Sequence, residues 1–324
     1  MSNLEFFETQ VRSITAESDT VMSIELRDPL KGKLPEWTAG AHLDVKLPNG
    51  MVRQFSLCSD PTDRSAWRLA VLREPAGRGG SAFVHDQLRP GTTLEVRGPK
   101  NNFALDEGDE FIFIAGGIGI TPIMPMVRAA ENAGANWRLI YLGRQGKSMA
   151  FLNELAEYGN KVQLHTTQNN QPRFDLEALL GDPSAKTHVF ACGPSALLHN
   201  LEEIAATWDD PKRLHLERFE ADHSSGVSVT AEHEGDHEFV VVLNDGAEVS
   251  VPSGTTILAA LENQGIFPIN SCREGICGTC ETAVVAGEID HRDSLLSDDE
   301  RDAQDTMMIC VSRCAGKRLV LDLN

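Results

Sequence analysis

Residues 272–280 read Cys272-Arg273-Glu274-Gly275-Ile276-Cys277-Gly278-Thr279-Cys280, and Cys310 follows after a gap of 29 residues. Three thiols spaced x4 and x2, with a fourth held remotely, form the arrangement that wraps a 2Fe–2S cluster. Four thiolates must converge on two irons, and three from one tight loop need a chain that folds back sharply. Gly275 and Gly278 supply that freedom and let backbone N–H groups approach the sulfurs. A structural zinc site usually pairs two Cys-x2-Cys hooks, and only one such hook exists here. The metal ligands are therefore assigned to Cys272, Cys277, Cys280 and Cys310. The last is expected on a strand, Met307-Met308-Ile309-Cys310-Val311. Cys314 lies outside the spacing and is expected near the domain surface or packed as a small apolar residue, with no ligand role.

Outward from the cysteines the pattern is β-rich. Phe239–Leu243 reads as a strand, Asn244-Asp245-Gly246 as a hairpin turn and Glu248–Val251 as its partner. Thr256–Asn263 reads as a helix stopped by Gly265, and Lys317–Leu323 as a final strand. With the cysteine set, residues 238–324 resemble a plant-type ferredoxin, which implies the β-grasp fold.

The rest of the chain splits into two further patterns, as 324 residues permit. Phe111-Ile112-Phe113-Ile114-Ala115 is an apolar run of buried-strand length, followed by Gly116-Gly117-Ile118-Gly119 and a helical stretch to about Ala133. Strand, glycine turn and helix bring a dinucleotide to a helix N-terminus. Thr121 is placed to cap that helix and Pro122 to sit at its first position. Strands at Arg138–Leu142, ending at Gly143-Arg144, and at His188–Ala191, ending at Cys192-Gly193-Pro194, complete a doubly wound α/β domain. The first hundred residues show short alternating strands such as Leu43–Leu47, the mark of an antiparallel β-barrel. Two clusters there, Arg53-Gln54-Phe55-Ser56 and Gly77-Arg78-Gly79-Gly80-Ser81, combine guanidinium groups with permissive backbone, a phosphate-binding chemistry. Taken singly, each also fits an ordinary strand or surface loop.

In order, these motifs resemble the phthalate dioxygenase reductase family over nearly the whole chain. Its members join an FMN barrel, an NADH domain and a plant-type ferredoxin. The resemblance implies residues 1–103 for the flavin, 104–222 for the nicotinamide, 223–236 as linker and 237–324 for the cluster. It implies that Arg53 and Arg78 face the FMN phosphate, with Gly79, Gly80 and Ser81 donating to it. Gln54 joins the flavin-binding residues, Phe55 and Ser56 contact the isoalloxazine, and Ala70, Val71 and Leu72 line its edge. Phe55 stands where the family commonly has Tyr. Gly116, Gly117, Gly119, Arg144 and Gly193 belong to the nucleotide site, Thr121 and Cys192 flank the nicotinamide, and Phe219 closes the flavin side of the cleft. Ser56, Thr121, Cys192 and Phe219 would stand closest to the hydride transfer.

A net charge of −19, with 48 acids against 29 Lys plus Arg, argues against nucleic acid or an anionic membrane as partner. The longest uncharged stretch, Phe111–Val127, is short for a membrane span, and Met1–Glu5 lacks a signal-peptide pattern, so a cytoplasmic protein is expected. His85 and His291 are read as surface or packing residues. The inferred function is electron transfer from NADH through FMN and a 2Fe–2S cluster to a terminal oxygenase. The resemblance implies a Rieske-type partner that demethylates or hydroxylates a small organic substrate. Alternatives are a haem monooxygenase partner, a redox-sensing protein without turnover, and a reductase releasing free flavin. Arg144 and Lys147 could also tolerate the 2′-phosphate of NADPH. Residues 237–324 hold fifteen acids against six Lys plus Arg, a charge of −9 that suits a basic partner.

Overall fold

The computed structural model describes residues 5–106, 108–181, 183–220 and 235–323. The chain divides into two compact units, residues 1–219 and 220–324. Most of the expected linker 223–236, and Met1–Leu4, lie outside the described residues. Among the described residues no helix is long and apolar enough to cross a membrane.

The first unit opens with β1 (Phe7–Ala16), β2 (Val21–Arg27), β3 (His42–Lys46), β4 (Val52–Ser56), β5 (Trp67–Leu72) and β6 (Thr93–Lys100). They form one antiparallel sheet in the order β4-β3-β6-β1-β2-β5. A bridge between Leu57 and Leu69 brings the two ends of that order together, so the sheet closes into a barrel. The alternation read at Leu43–Leu47 holds: Leu43, Val45 and Leu47 join the barrel core. Asp44, on the opposite face of β3, is also buried, and Arg97 of β6 meets its carboxylate at 2.7 Å. One helix, α1 (Gly80–Gln87), follows the Gly77–Gly79 loop. It escapes a sequence reading because only Gly80 and Val84 are buried, which leaves no apolar stripe.

A parallel sheet follows, with β7 (Glu110–Gly116), β8 (Asn136–Gly143), β9 (Val162–Thr166), β10 (Thr187–Cys192) and β11 (Leu214–Glu217) in the order β11-β10-β7-β8-β9. Helices α2 (Ile120–Asn132), α3 (Leu152–Ala156), α4 (Leu176–Leu180) and α5 (Ser195–Ala205) connect the strands. Alternate residues of β7 feed different cores, Phe111 and Phe113 one, Ile112 and Ile114 the other, as a doubly wound sheet requires. The sequence reading finds the three inner strands and misses β9 and β11, the two edges. The barrel's Val21, Ala39, Cys58, Ala70 and Phe103 share the core of Phe111 and Phe113. Glu154 of α3 binds Arg68 of β5 at 2.7 Å and Arg128 of α2 at 2.6 Å.

The expectation that Thr121 caps α2 is corrected. A 3₁₀ turn at Gly117–Gly119 leads into the helix two residues earlier, with Gly119 at the cap and Pro122 at the third helical position rather than the first. Thr121 lies inside the first turn, and its hydroxyl donates to the Ile118 carbonyl at 3.0 Å.

The second unit contains β12 (Phe239–Val242), β13 (Glu248–Val251), α6 (Ile257–Asn263), β14 (Glu281–Ala286), β15 (Ile289–Asp290), α7 (Asp298–Ala303), β16 (Thr306–Met308), β17 (Arg313–Cys314) and β18 (Arg318–Leu321). The main sheet runs β13-β12-β18-β14-β16, with β12 and β18 parallel and the other neighbours antiparallel. Thr256 caps α6 by accepting from Ala259 N–H at 3.1 Å. The helix sets Ile257, Leu258 and Leu261 into one core with Phe239, Val241 and Leu319. Cys314 is buried in that core, the packing alternative of the sequence reading. The expected strand over Met307–Val311 is shorter. After Met308 the chain turns, as Val311 and Ser312 N–H both donate to the Met308 carbonyl at 3.0 Å, and Cys310 rides on that turn.

Candidate functional site

The cysteine loop has the backbone its glycines imply. Arg273, Gly275 and Gly278 all take positive φ, at 62°, 72° and 70°. At Gly275 a side chain is excluded twice, because a Cβ would stand 2.6 Å from Val311 Cγ2 and 3.0 Å from the Asp293 Cα. Asp293, unremarked in the sequence, is buried behind this loop and accepts from Leu295 and Leu296 N–H at 3.1 and 2.8 Å. The sulfurs converge: Cys272 interacts with Cys277 and Cys310, and Cys280 with Cys310. Backbone N–H of Glu274 donates to Cys272 Sγ at 3.3 Å, and the Thr279 hydroxyl lies 3.3 Å from Cys277 Sγ. Four thiols brought to one loop and one turn, with polar neighbours, are the donor set a 2Fe–2S cluster takes.

In the barrel, Arg53 of β4 reaches across to the Gly77–Ser81 loop, its Nη2 donating to the Arg78 carbonyl at 3.3 Å. A Cβ on Gly80 would come within 2.6 Å of Arg53 Nε, so only glycine leaves room for the guanidinium against the start of α1. Gly79 holds φ at 87° and ends the loop without a side-chain cap. The Ser81 hydroxyl accepts from Glu74 N–H at 3.1 Å and ties the loop shut. The Arg53 guanidinium, the backbone of Arg78 and a helix N-terminus without a side-chain cap therefore sit together, which fits a phosphate group. Along β4, Arg53 and Phe55 lie opposite Val45 and Leu43, while Gln54 and Ser56 lie opposite Asp44 and His42. Ala70, Val71 and Leu72 end β5, next to the Gly117–Gly119 turn. The Val71 carbonyl accepts from His85 Nε2 at 2.9 Å, a packing role for that histidine.

The C-terminal ends of the parallel strands gather the third group. Gly116 and Gly193 face each other so closely that a Cβ on Gly193 would lie 3.0 Å from Gly116 Cα. A Cβ on Gly119 would collide with the Cys192 carbonyl. The turns after β7 and β10 thus meet backbone to backbone, and Gly117 takes φ of 57° between them. Cys192 is fully buried, and that burial pushes its thiol well above its ordinary range. Beside it on β11 stands Glu217. Burial raises its carboxyl to about 8, and its Oε2 has no hydrogen-bond partner among the described residues. Phe219 follows, 39% exposed, and Arg144 is exposed just beyond β8. His42, also unremarked, is buried in the barrel across from Ser56, and burial lowers its imidazole to about 4. His291 is buried with neither ring nitrogen hydrogen-bonded among the described residues, 3.6 Å from Asp293.

Comparison with known proteins divides the chain into three domains in the same order. The pattern of the oxidoreductase FAD-binding domain matches residues 8–105, that of the oxidoreductase NAD-binding domain residues 113–203, and that of the 2Fe-2S iron-sulfur cluster binding domain residues 240–315. The chain is 42% identical over 316 residues to the phenoxybenzoate dioxygenase subunit beta of Ectopseudomonas oleovorans, covering 97% of this chain and 96% of that protein. It superposes on an intact type IV self-sufficient cytochrome P450 monooxygenase with a TM-score of 0.84 and 41% identity, over 98% of this chain and 41% of the larger one. On the structure of phthalate dioxygenase reductase the TM-score is 0.72 and the identity 36%, over 98% of both chains. The protein is an NADH-dependent oxidoreductase, the reductase component of an oxygenase system, with a flavin domain, a nicotinamide domain and a 2Fe–2S domain. A likeness that runs through all three domains places the chain in the phthalate dioxygenase reductase family.

Proposed function

We propose that this reductase carries FMN and serves a terminal Rieske-type oxygenase that demethylates or hydroxylates a small organic substrate. The observation that carries the partner assignment is end-to-end similarity to proteins named for dioxygenases of aromatic acids. FMN is supported by the cradle at Arg53, Arg78 and the start of α1, where a guanidinium beside a helix N-terminus without a side-chain cap suits a terminal phosphate.

When bound, the flavin supplies the conversion of a two-electron hydride into the single electrons a 2Fe–2S cluster accepts. The chain's own residues then do the positioning. Arg53 and Arg78 offset the phosphate charge, while Gly79, Gly80 and Ser81 let it approach the backbone. Gln54, Phe55 and Ser56 on β4, with Ala70, Val71 and Leu72 on β5, hold the isoalloxazine. The close glycine contact of Gly116, Gly119 and Gly193 admits the NADH pyrophosphate, with Gly117 shaping the turn and Arg144 at the rim. Thr121 and Cys192 flank the nicotinamide, and Phe219 covers the flavin side. Cys192 remains a thiol at neutral pH and forms no adduct. Cys272, Cys277, Cys280 and Cys310 hold the cluster. Residues 1–103, 104–222 and 237–324 are the corresponding domains, with 223–236 as linker, and the cytoplasm is the compartment that suits reduced thiols.

A second reading, delivery to a haem monooxygenase, is favoured by the self-sufficient P450 monooxygenase, 41% of whose chain this one covers. One purification separates the two. The tagged holoprotein is used to isolate its partner from native cells, and the retained protein is tested for NADH-dependent oxygen uptake. A competent partner with a Rieske signal and no haem absorbance supports the proposal, and a haem partner replaces it. Chromatography of acid-released flavin tests the FMN assignment, which recovery of FAD would overturn.

A further inference from the structure

The geometry points to a binding site for a divalent transition-metal ion, zinc above all, formed by Asp106, His188 and His215. It is separate from the cysteine loop and from the strand ends that face the nucleotide. His188 is the second residue of β10 and His215 the second of β11, both near the N-terminal ends of their strands. Cys192 lies four residues further along β10, roughly 13 Å away at the rise of a strand.

Neighbouring register brings the two imidazoles together. His215 pairs with Phe190 and His188 with Phe111, so His188, Phe190 and His215 share one face of the sheet. Aromatic contacts hold the rings: His215 stacks on Phe190 at 4.3 Å and 8°, and on His188 at 5.4 Å and 25°. His188 Nδ1 and His215 Nε2 then face each other at 3.1 Å, and Asp106 Oδ2 lies 3.5 Å from the same His215 nitrogen. One ligand atom from each residue falls within 4.8 Å of the others. Zinc bonds of about 2.0–2.1 Å in a tetrahedron place neighbouring donor atoms about 3.3 Å apart, so the two measured separations need little adjustment.

The chemistry also fits. Two imidazoles and a carboxylate form a ligand set suited to zinc, with a fourth position for water. Without an ion, the contact of His188 with His215 requires a proton on one of the two facing nitrogens. With an ion, both facing nitrogens offer lone pairs and each ring keeps its proton on the other nitrogen, so only the tautomer changes. Burial, the largest influence on His215, lowers its pKa and favours the neutral ring a metal requires. The side chains of His215 and Asp106 are 22% and 52% exposed, which leaves an entry path. Asp106 belongs to the segment between β6 of the barrel and β7 of the parallel sheet. An ion here would fasten that connection to the β10–β11 edge.

The test is calorimetric titration of zinc into the holoprotein, with flavin and cluster loaded and loosely held metals removed. The expected result is one zinc per chain with a dissociation constant of about 10 μM or lower. His188→Gln and His215→Gln should each weaken it by about a hundredfold, and Asp106→Asn by about tenfold. Zinc should also raise the melting temperature of the wild type and leave that of His215→Gln unchanged. Flavin and cluster absorbance, with NADH–ferricyanide activity, verify that the variants fold. Asp106→Asn, on a half-exposed connection, serves if a histidine variant does not. In oxidised protein titrated with copper(II), the paramagnetic resonance spectrum should show nitrogen coupling from two imidazoles, reduced to one in His215→Gln. Absence of saturable zinc binding, or equal affinity in wild type and the folded variants, would overturn the proposal.

Discussion

Cys192 and His42 show how burial sets the chemistry of single residues. Cys192 is enclosed at the end of β10 with Glu217 as neighbour, and its thiol is held protonated. Iodoacetamide at pH 8 should leave it unmodified in the folded protein, as peptide mass mapping would show, whereas rapid labelling would mean an activated thiolate. His42 is a pH-dependent component of stability. Its imidazole titrates near 4 when folded and near 6.5 when unfolded. Above pH 6.5 both states are neutral there and the packing is intact. As pH falls below 6.5 the unfolded chain takes up a proton that the folded chain refuses until about 4. Stability should therefore decline across that window by up to about 3 kcal/mol from this residue alone. His42→Leu should flatten the denaturation profile between pH 6.5 and 4, and an unchanged slope would remove His42 from the account.

Among the elements, the β7 and β10 turns depend on glycine for packing as much as for flexibility. Gly119→Ala would drive a methyl group into the Cys192 carbonyl and separate the turns. A displacement of about 1 Å should lower kcat/KM for NADH by roughly a hundredfold, with flavin and cluster absorbance retained. Steady-state kinetics with ferricyanide check this. The apolar run at Phe111–Ala115, its glycine turn and the cysteine loop were legible because each is a local pattern with one physical solution. The edge strands were not. Val162-Gln163-Leu164-His165-Thr166 leaves Leu164 49% exposed, and Leu214–Glu217 mixes His and Glu among leucines, so neither reads as a buried run. Thr121 was misread because a 3₁₀ turn and an early helix start leave no trace in residue type. Glu217, His42 and Asp293 were missed for another reason: burial of a lone polar side chain is decided by distant partners.

For the whole molecule, the acids of α7 matter through exposure and number. Asp298, Asp299, Glu300 and Asp302 are all exposed and could meet a basic partner, but Glu300 already serves the helix. It accepts from Ser297 N–H at 2.9 Å in a capping box, so its reversal would damage the fold. Asp299→Lys with Asp302→Lys is the cleaner test. The double variant should slow electron delivery to the oxygenase by several-fold at low salt, through the on-rate. The difference should fade as screening shortens to about 8 Å at physiological ionic strength. NADH–ferricyanide activity should not change, since flavin reduction precedes the exit surface. The order of transfer is the central claim, and anaerobic stopped-flow mixing with NADH tests it most directly. In the wild type, flavin absorbance should bleach first and cluster absorbance afterwards. In Cys280→Ser, which lacks one sulfur of the converging set, the flavin should bleach at the wild-type rate and no cluster phase should follow. Cluster reduction ahead of the flavin, or a folded and flavin-loaded Cys280→Ser that NADH does not reduce, would contradict the account.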